Sequence, residues 1–396
     1  MEDTLLIGTD GGATKVSGWI INYSDKTGLF QISETNVQKK YSDYSDYDPA
    51  YIPVDIKTQL NEMNSGIHLT NQEKQQGYVY MNAAADVIIE LLRKYPGKKA
   101  LVGIGMPGLK TSDKRGIAVL ANGPRMPGYS EFIEKRIKKQ NLALSSRIAR
   151  LGSDADYCGL GEEYSAAGLF KNVGNAYYLG GGTGVADALK LKGKLIPFDK
   201  AKSWIAKTWE MKCEKGISLE RYASAGGIQS IYSQFSKISV EELNNNNIYP
   251  LQILNKALSG DHAAVDTIND VSKYITDLLY ERITSIYSGW SNLFSFVNPS
   301  KVLQDKNHEY TGILLDRLIV GQRLGDLINE SKVTSLLWSQ IVDRLSVSIK
   351  NNNDKQLRDH YLRDGKFNVD MLIISKLREA PAIGAGVDAF LTYKKG

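Results

Sequence analysis

LLIGTDGGATKVSGWII, residues 5 to 21, sets two apolar, β-branched runs on either side of a turn that carries two glycines and a lysine. The runs read as strands and the middle as a hairpin turn. Paired glycines let the backbone come close to an anion and offer it N–H groups, so Gly11, Gly12, Thr14 and Lys15 are candidate phosphate ligands. Asp10 alone would repel a phosphate. It fits where a divalent cation lies between the two, usually held through water as Mg²⁺ prefers, and Asp10 is therefore the candidate metal residue. An ordinary hairpin with a DG turn needs no ligand at all, so the assignment calls for a second element.

That element is Gly180-Gly181-Gly182-Thr183-Gly184, again placed between two strand-like runs, AYYL (176–179) and VADALKL (185–191). Its flanks are strong strand formers without serine repeats, which favours a cradle over a flexible linker. Two such turns can clasp a triphosphate from both sides. A third element, GSDAD (152–156), lies where a short strand gives way to a helix, so Asp154 falls near a helix N-terminus. An N-cap explains a lone SD pair. The alternative is that Asp154 is the base accepting a hydroxyl proton as that oxygen attacks a γ-phosphoryl group.

Around these elements the order of patterns is that of an α/β protein. Residues 71–93 read as a helix, Lys99–Gly105 as a buried strand, 155–169 as a helix, 218–327 as mostly helical, and a last helix runs from near Ala385 to Tyr393. Residues 22–66, with YSDYSDYDPAYIP at 41–53, lack helical periodicity and read as a polar insertion. With 396 residues the chain suits two domains. We expect the first at 1–125 plus a terminal helix at about 382–396, and the second at 126–381.

The 49 basic and 44 acidic residues leave a net charge of only +5, which does not call for nucleic acid. The basic cluster EKRIKK (134–139) reads as a solvated helix face. Two cysteines, Cys158 and Cys213, make neither a disulfide framework nor a four-ligand zinc site. An apolar strand begins within four residues of the start, and no apolar run reaches about 18 residues. The expectation is a cytoplasmic protein without membrane association.

The motifs together resemble the ROK group of sugar kinases, within the superfamily of hexokinase, actin and the heat-shock chaperone ATPases. IGTDGGATK (7–15) resembles the first phosphate motif, GIGMPG (103–108) the segment that closes on the sugar, and GPRMPGY (123–129) the sugar-binding segment. GSDADYCGLGE (152–162) resembles the motif bearing the catalytic aspartate, LGGGTG (179–184) the second phosphate motif, SLERYASAGGI (218–228) the segment whose glutamate contacts sugar hydroxyls, and APAIGAGVDAF (380–390) the closing helix.

The resemblance implies two ribonuclease-H-like α/β domains of the actin-like ATPase class flanking a nucleotide and sugar cleft. It implies an ATP- and Mg²⁺-dependent phosphotransfer to a hydroxyl of a sugar or sugar-like molecule, and a homodimer. Asp154 is then catalytic. Asp10, Gly11, Gly12, Thr14, Lys15, Gly181, Gly182, Thr183, Gly184 and Gly321 serve the nucleotide, and Pro107, Gly108, Arg125, Ser153, Asp154 and Glu220 the acceptor.

Four departures qualify the match. FDKAKSWIAKTWEMKCEKGIS (198–218) stands where the family has a histidine-bearing sugar segment and a cysteine-rich zinc motif, so zinc is not expected. Arg125 replaces a sugar-binding asparagine, and a guanidinium there points to an anionic or modified ligand, a surface-turn residue being the alternative. Ser153 replaces the asparagine before the catalytic aspartate. Trp204 and Trp209 read as core or as ring-stacking residues. In RLIVGQRLGDL (317–327), Gly321 and Gly325 stand where relatives carry three consecutive glycines. The alternative function is a catalytically weak sugar or nucleotide sensor of the same fold.

Overall fold

The computed structural model describes residues 3–303 and 307–395, and for Asp154 the backbone without the side chain. The chain forms two compact units, Met1–Gly168 with Glu379–Gly396, and Leu169–Arg378. The first unit therefore extends to Gly168 rather than ending at 125. Ile133, Ile137, Ile148 and Leu151 bury in the first core, and that burial carries the intervening chain with it.

The first unit is built on β1 (Thr4–Gly11), β2 (Lys15–Ser24), β3 (Leu29–Lys40), α1 (Ile56–Ser65), α2 (Asn71–Arg93), β4 (Lys99–Gly105), α3 (Tyr129–Lys139), β5 (Leu151–Gly152) and α4 (Asp154–Tyr164). Its sheet has the order β3-β2-β1-β4-β5. The β1–β2–β3 meander is antiparallel, while β4 pairs parallel to β1 and β5 parallel to β4. Segment 22–66 is thus not an insertion. Its first part completes β2 and supplies β3, a strand with only two buried residues whose polar pattern masks it, and its second part supplies α1. Thr70 caps α2 by accepting from the Glu73 N–H, and the apolar stripe of α2, with Val79, Ala83, Val87 and Leu91, joins the core under the meander.

The second unit repeats the plan with β6 (Ala176–Gly181), β7 (Val185–Leu191), β8 (Lys194–Leu195), α5 (Glu220–Ala223), α6 (Ala225–Ser236), α7 (His262–Ser288), β9 (Arg317–Gly321), α8 (Gln322–Ser331), α9 (Trp338–Lys350) and β10 (Leu372–Ile374). The order β8-β7-β6-β9-β10 carries the same senses: an antiparallel hairpin followed by two parallel partners. β9 is a strand inside a stretch expected to be helical. Its five residues are almost wholly buried in the sheet, so they carry the continuous apolar run of a covered parallel strand. No helix among the described residues is long and apolar enough to cross a membrane.

The last helix, α10 (Ala380–Lys395), belongs to the first unit and starts five residues earlier than its apolar pattern suggests. It lies against β1, β4 and α4 at glycine distance. A Cβ on Gly103 would fall 1.8 Å from the Ala385 carbonyl oxygen, and one on Gly384 would fall 1.9 Å from that of Tyr157. Asp388 on α10 accepts from the Tyr157 hydroxyl at 3.0 Å and from the Arg150 guanidinium. Backbone on both sides of these contacts leaves nothing flexible to yield. Gly103→Ala should therefore destabilise the chain by about 1–3 kcal/mol or more, read as a lower urea midpoint.

Candidate functional site

Parallel pairing brings three strand ends into one row. Asp10 on β1 pairs with Gly105 on β4, and Gly105 with Gly152 on β5. The chain leaves this carboxyl edge through Gly11-Gly12, through Met106-Pro107-Gly108 and through Ser153, and ligands of open α/β sheets bind at such edges. The register thus puts the backbones of Asp10 and Asp154 on one edge, two strands apart, which is about 10 Å. Ser153 is the N-cap of α4, its Oγ accepting from the Asp156 N–H at 3.2 Å and donating to an Asp156 carboxylate oxygen at 2.9 Å. Asp154 is therefore the first helical residue and is not needed as a cap. The Asp154 side chain lies outside the described residues.

Beyond Asp10 the first glycine turn is closed by the Gly12 N–H donating to the Lys15 carbonyl at 2.9 Å. The N–H groups of Ala13 and Thr14 make no hydrogen bond among the described residues. Gly11 is explained by packing, since a Cβ there would meet Met106 Sδ at 2.0 Å. Gly12 is not: its φ lies outside the left-handed region, and a Cβ would find only the Lys15 carbonyl oxygen, at 3.8 Å. The space over Gly12 is left open. Lys15 turns away toward β3, its Nζ donating to Gln38 Oε1 at 2.5 Å.

In the second unit the turn Gly182–Gly184 has its carbonyls engaged in the same way. Gly182 O accepts from the Ala225 N–H at 3.0 Å, and Gly184 O from the Gly182 N–H at 2.9 Å. Glu220 Oε1 accepts from the Val185 N–H at 3.2 Å and lies 2.9 Å from the place of a Cβ on Gly184. Burial raises its carboxyl above the usual range, against the opposing Val185 N–H. Glu220 thus stands at the second glycine turn itself. Gly321 has an internal reason, since a Cβ would strike the Tyr178 ring, its hydroxyl 2.5 Å away. Gln322 follows with φ +58°, a left-handed conformation at one of the positions where glycines were expected.

The acceptor-side expectations fare unevenly. Pro107 and Gly108 do form a turn at the sheet edge, and Gly108 needs its φ of +88° there. A residue the sequence reading missed holds that turn: Lys110 Nζ donates to the carbonyls of Met106, Gly108 and Pro107 at 2.6, 2.8 and 3.4 Å. Arg125 is not a ligand contact. It is 1% exposed and is bound by Glu73 at Nε (2.7 Å) and Nη2 (2.8 Å), by Glu62 at Nη1 (2.5 Å), and by the His68 carbonyl at Nη2 (3.1 Å). Glu73 foremost, then Glu62, holds the guanidinium above its usual range against burial.

The segment that replaces the histidine and cysteine motifs is held by a buried charge network. Thr208 donates through N–H and Oγ1 to Asp187 at 2.9 and 2.6 Å, and Tyr177 OH (2.7 Å) and Arg282 Nη2 (3.1 Å) bind the same carboxylate. Arg282 also pairs with Glu281 at 2.9 Å, both fully buried. Burial lowers the proton affinity of Arg282, but Glu281, Tyr177 and Asp187 outweigh it. Trp204 belongs to the core, stacked on His308 at 4.1 Å, whereas Trp209 is 48% exposed. Cys213 is buried with its Sγ 3.8 Å from the Tyr222 hydroxyl.

No protein-family model matches the sequence, and no curated protein does. Solved structures match over nearly the whole chain. A ROK hexokinase from Thermus thermophilus superposes with a TM-score of 0.55 at 14% identity, covering 99% of this chain and 100% of that one. A ROK-family glucokinase from Streptomyces griseus, in complex with glucose and AMPPNP, gives 0.53 at 14%, covering 98% and 99%. A ROK-family transcriptional regulator homologous to E. coli MLC gives 0.52 at 15%, covering all of this chain and 82% of that one. At such identities the likeness establishes the fold: two α/β units of the actin-like ATPase class. Within that class, the chain has the fold of the ROK-family sugar kinases.

Removing Arg125 leaves Glu73 buried and unpaired. Arg125→Met should cost about 3–5 kcal/mol of stability. The Glu62 carboxyl is held below its usual range, first by Arg125 and then by the His68 N–H. Its contribution is present above the unfolded carboxylate pKa of about 4.3 and is lost as pH falls through the lower folded value. Urea midpoints across acid pH should therefore fall for the wild-type chain, and the part due to Glu62 should shrink in Arg125→Met.

Proposed function

We propose that the chain is an ATP-dependent phosphotransferase acting on a hydroxyl of a sugar or sugar-like small molecule, with Asp154 as its base. The observation that carries the reading is the row Asp10, Gly105, Gly152 at one sheet edge, which puts the backbone of Asp154 at that edge as a first helical residue with no capping duty. The open space over Gly12 and the unengaged N–H groups of Ala13 and Thr14 fit an anion at the first turn.

In this reading Gly11, Gly12 and Thr14 take phosphate oxygens in the first unit, and Gly181 to Gly184 do so in the second. Lys15 plays a lesser part, given its bond to Gln38. Mg²⁺ would be held by the Asp10 carboxylate, through water as hard cations prefer, and would neutralise charge on the phosphates. Asp154 accepts the proton of the attacking hydroxyl, whose oxygen forms the new bond to phosphorus. The Pro107-Gly108 turn, stiffened by Lys110, orients the acceptor. Glu220 either reaches the acceptor or keeps the second turn in shape through Val185 N–H. Ser153 is spent on the helix cap.

A second reading is a catalytically weak sensor of the same fold. It is favoured by the withdrawal of Arg125 into the core and by the substituted segment 198–218. A coupled ADP-release assay with Mg-ATP over hexoses, N-acetylhexosamines, sugar acids and cyclitols separates the two. Acceptor-dependent release is expected, and Asp154→Asn should lower kcat by about 10²–10⁴-fold while nucleotide affinity stays within about twofold of wild type. Full turnover in that variant removes Asp154 from the mechanism, and silence with every acceptor despite nucleotide binding favours the sensor.

A further inference from the structure

A planar trans peptide points its C=O and the following N–H in opposite directions. Whatever holds the carbonyls of a turn on one side therefore aims its amides to the other. In the first glycine turn three successive carbonyls are held. Gly12 O accepts from the Tyr41 hydroxyl at 3.1 Å, Ala13 O from the Tyr80 hydroxyl at 2.8 Å, and Thr14 O from the Tyr41 main-chain N–H at 3.0 Å. The amides that must then face away include those of Ala13 and Thr14, the two N–H groups that find no partner among the described residues.

The two tyrosines come from different elements. Tyr41 directly follows β3, and Tyr80 lies on the buried side of α2. Their rings stack with centroids 3.6 Å apart and planes 19° apart, at 1% and 4% exposure, so neither hydroxyl has room to swing. Burial raises the Tyr80 hydroxyl above its usual range, keeping it a donor.

We infer that Tyr41 and Tyr80 are positioning residues of the first glycine turn: their hydroxyls fix the Gly12 and Ala13 carbonyls so that the Ala13 and Thr14 N–H groups are presented to phosphate oxygens of a nucleotide. The inference rests on the kinase reading for the identity of that anion. It also gives a part to the start of the tyrosine-rich segment 41–53. Preorganised donors cost no reordering when the anion arrives, so loss of either hydroxyl is felt in affinity as well as in stability.

The test uses Tyr41→Phe and Tyr80→Phe, which keep the ring stack and remove the bonds to the Gly12 and Ala13 carbonyls. Tyr51→Phe is the control, since the buried Tyr51 hydroxyl has no partner among the described residues. Calorimetric titration with Mg-AMPPNP should show about three- to tenfold weaker binding for each of the first two variants and wild-type binding for Tyr51→Phe. The KM for ATP should rise while that for the acceptor found in the assay above stays unchanged. Each hydroxyl serves a different carbonyl, so a folding failure in one variant leaves the other decisive. Lower melting with unchanged nucleotide affinity in both makes the pair merely structural and overturns the inference, with the kinase reading intact. A wild-type chain that does not bind Mg-AMPPNP overturns the kinase reading and the inference with it.

Discussion

Parallel pairing of β1 with β4 and of β4 with β5 ends in a single row, and each chain segment leaving that row has to turn within two or three residues. Glycine is what makes the row possible. At Gly152 the Tyr157 ring occupies the place a side chain would take, 2.0 Å from a Cβ position. Tyr157 in turn donates to Asp388, which ties α4 to α10 behind the edge. The edge is thus firm because its own backbone is overlain by packed side chains, and a rigid edge is what a site requiring accuracy of about half an ångström needs.

Two arginines show how the same residue type answers to its surroundings. Arg125 and Arg282 are both buried, and each is matched by two carboxylates, Glu62 with Glu73 and Glu281 with Asp187. Neither adds much net stability by ion pairing, since desolvation offsets attraction. What they contribute is placement. Arg125 binds α1, α2 and the loop at His68 to one another, and Arg282 binds α7 and β7 to the segment at Thr208.

The duplicated fold was legible because both units announce themselves by the same local pattern, an apolar strand, a glycine turn and a return strand. The parallel partners β4 and β9 differ in how far they could be read. β4 stands alone as an apolar run, whereas β9 runs straight into α8 with no residue between them to mark its end. β3 was hidden because only two of its twelve residues, Phe30 and Val37, are buried. Arg125 was misread for a different reason: its partners lie 52 and 63 positions away, and no local pattern encodes a pairing of that range. The same holds for the tyrosine pair, whose hydroxyls meet carbonyls 29 and 67 positions away. Of the candidate site, the turns and the sheet edge were readable. The fastenings behind them were not, because they are tertiary.

The return of α10 to the first unit has a consequence for how the protein is made. Gly8 and Gly103 have no side chains of their own, and the carbonyls of Ala382 and Ala385 fill that space only once residues 380–395 have left the ribosome. Until then the face of β1 and β4 stays bare while the whole second unit is synthesised and free to fold. The first half is thus begun first and finished last. Its closing step joins Gly103 to Ala385, 282 positions on, and Gly8 to Ala382, 374 positions on, a long-range closure of the kind that folds slowly and leaves apolar surface in need of protection in the meantime.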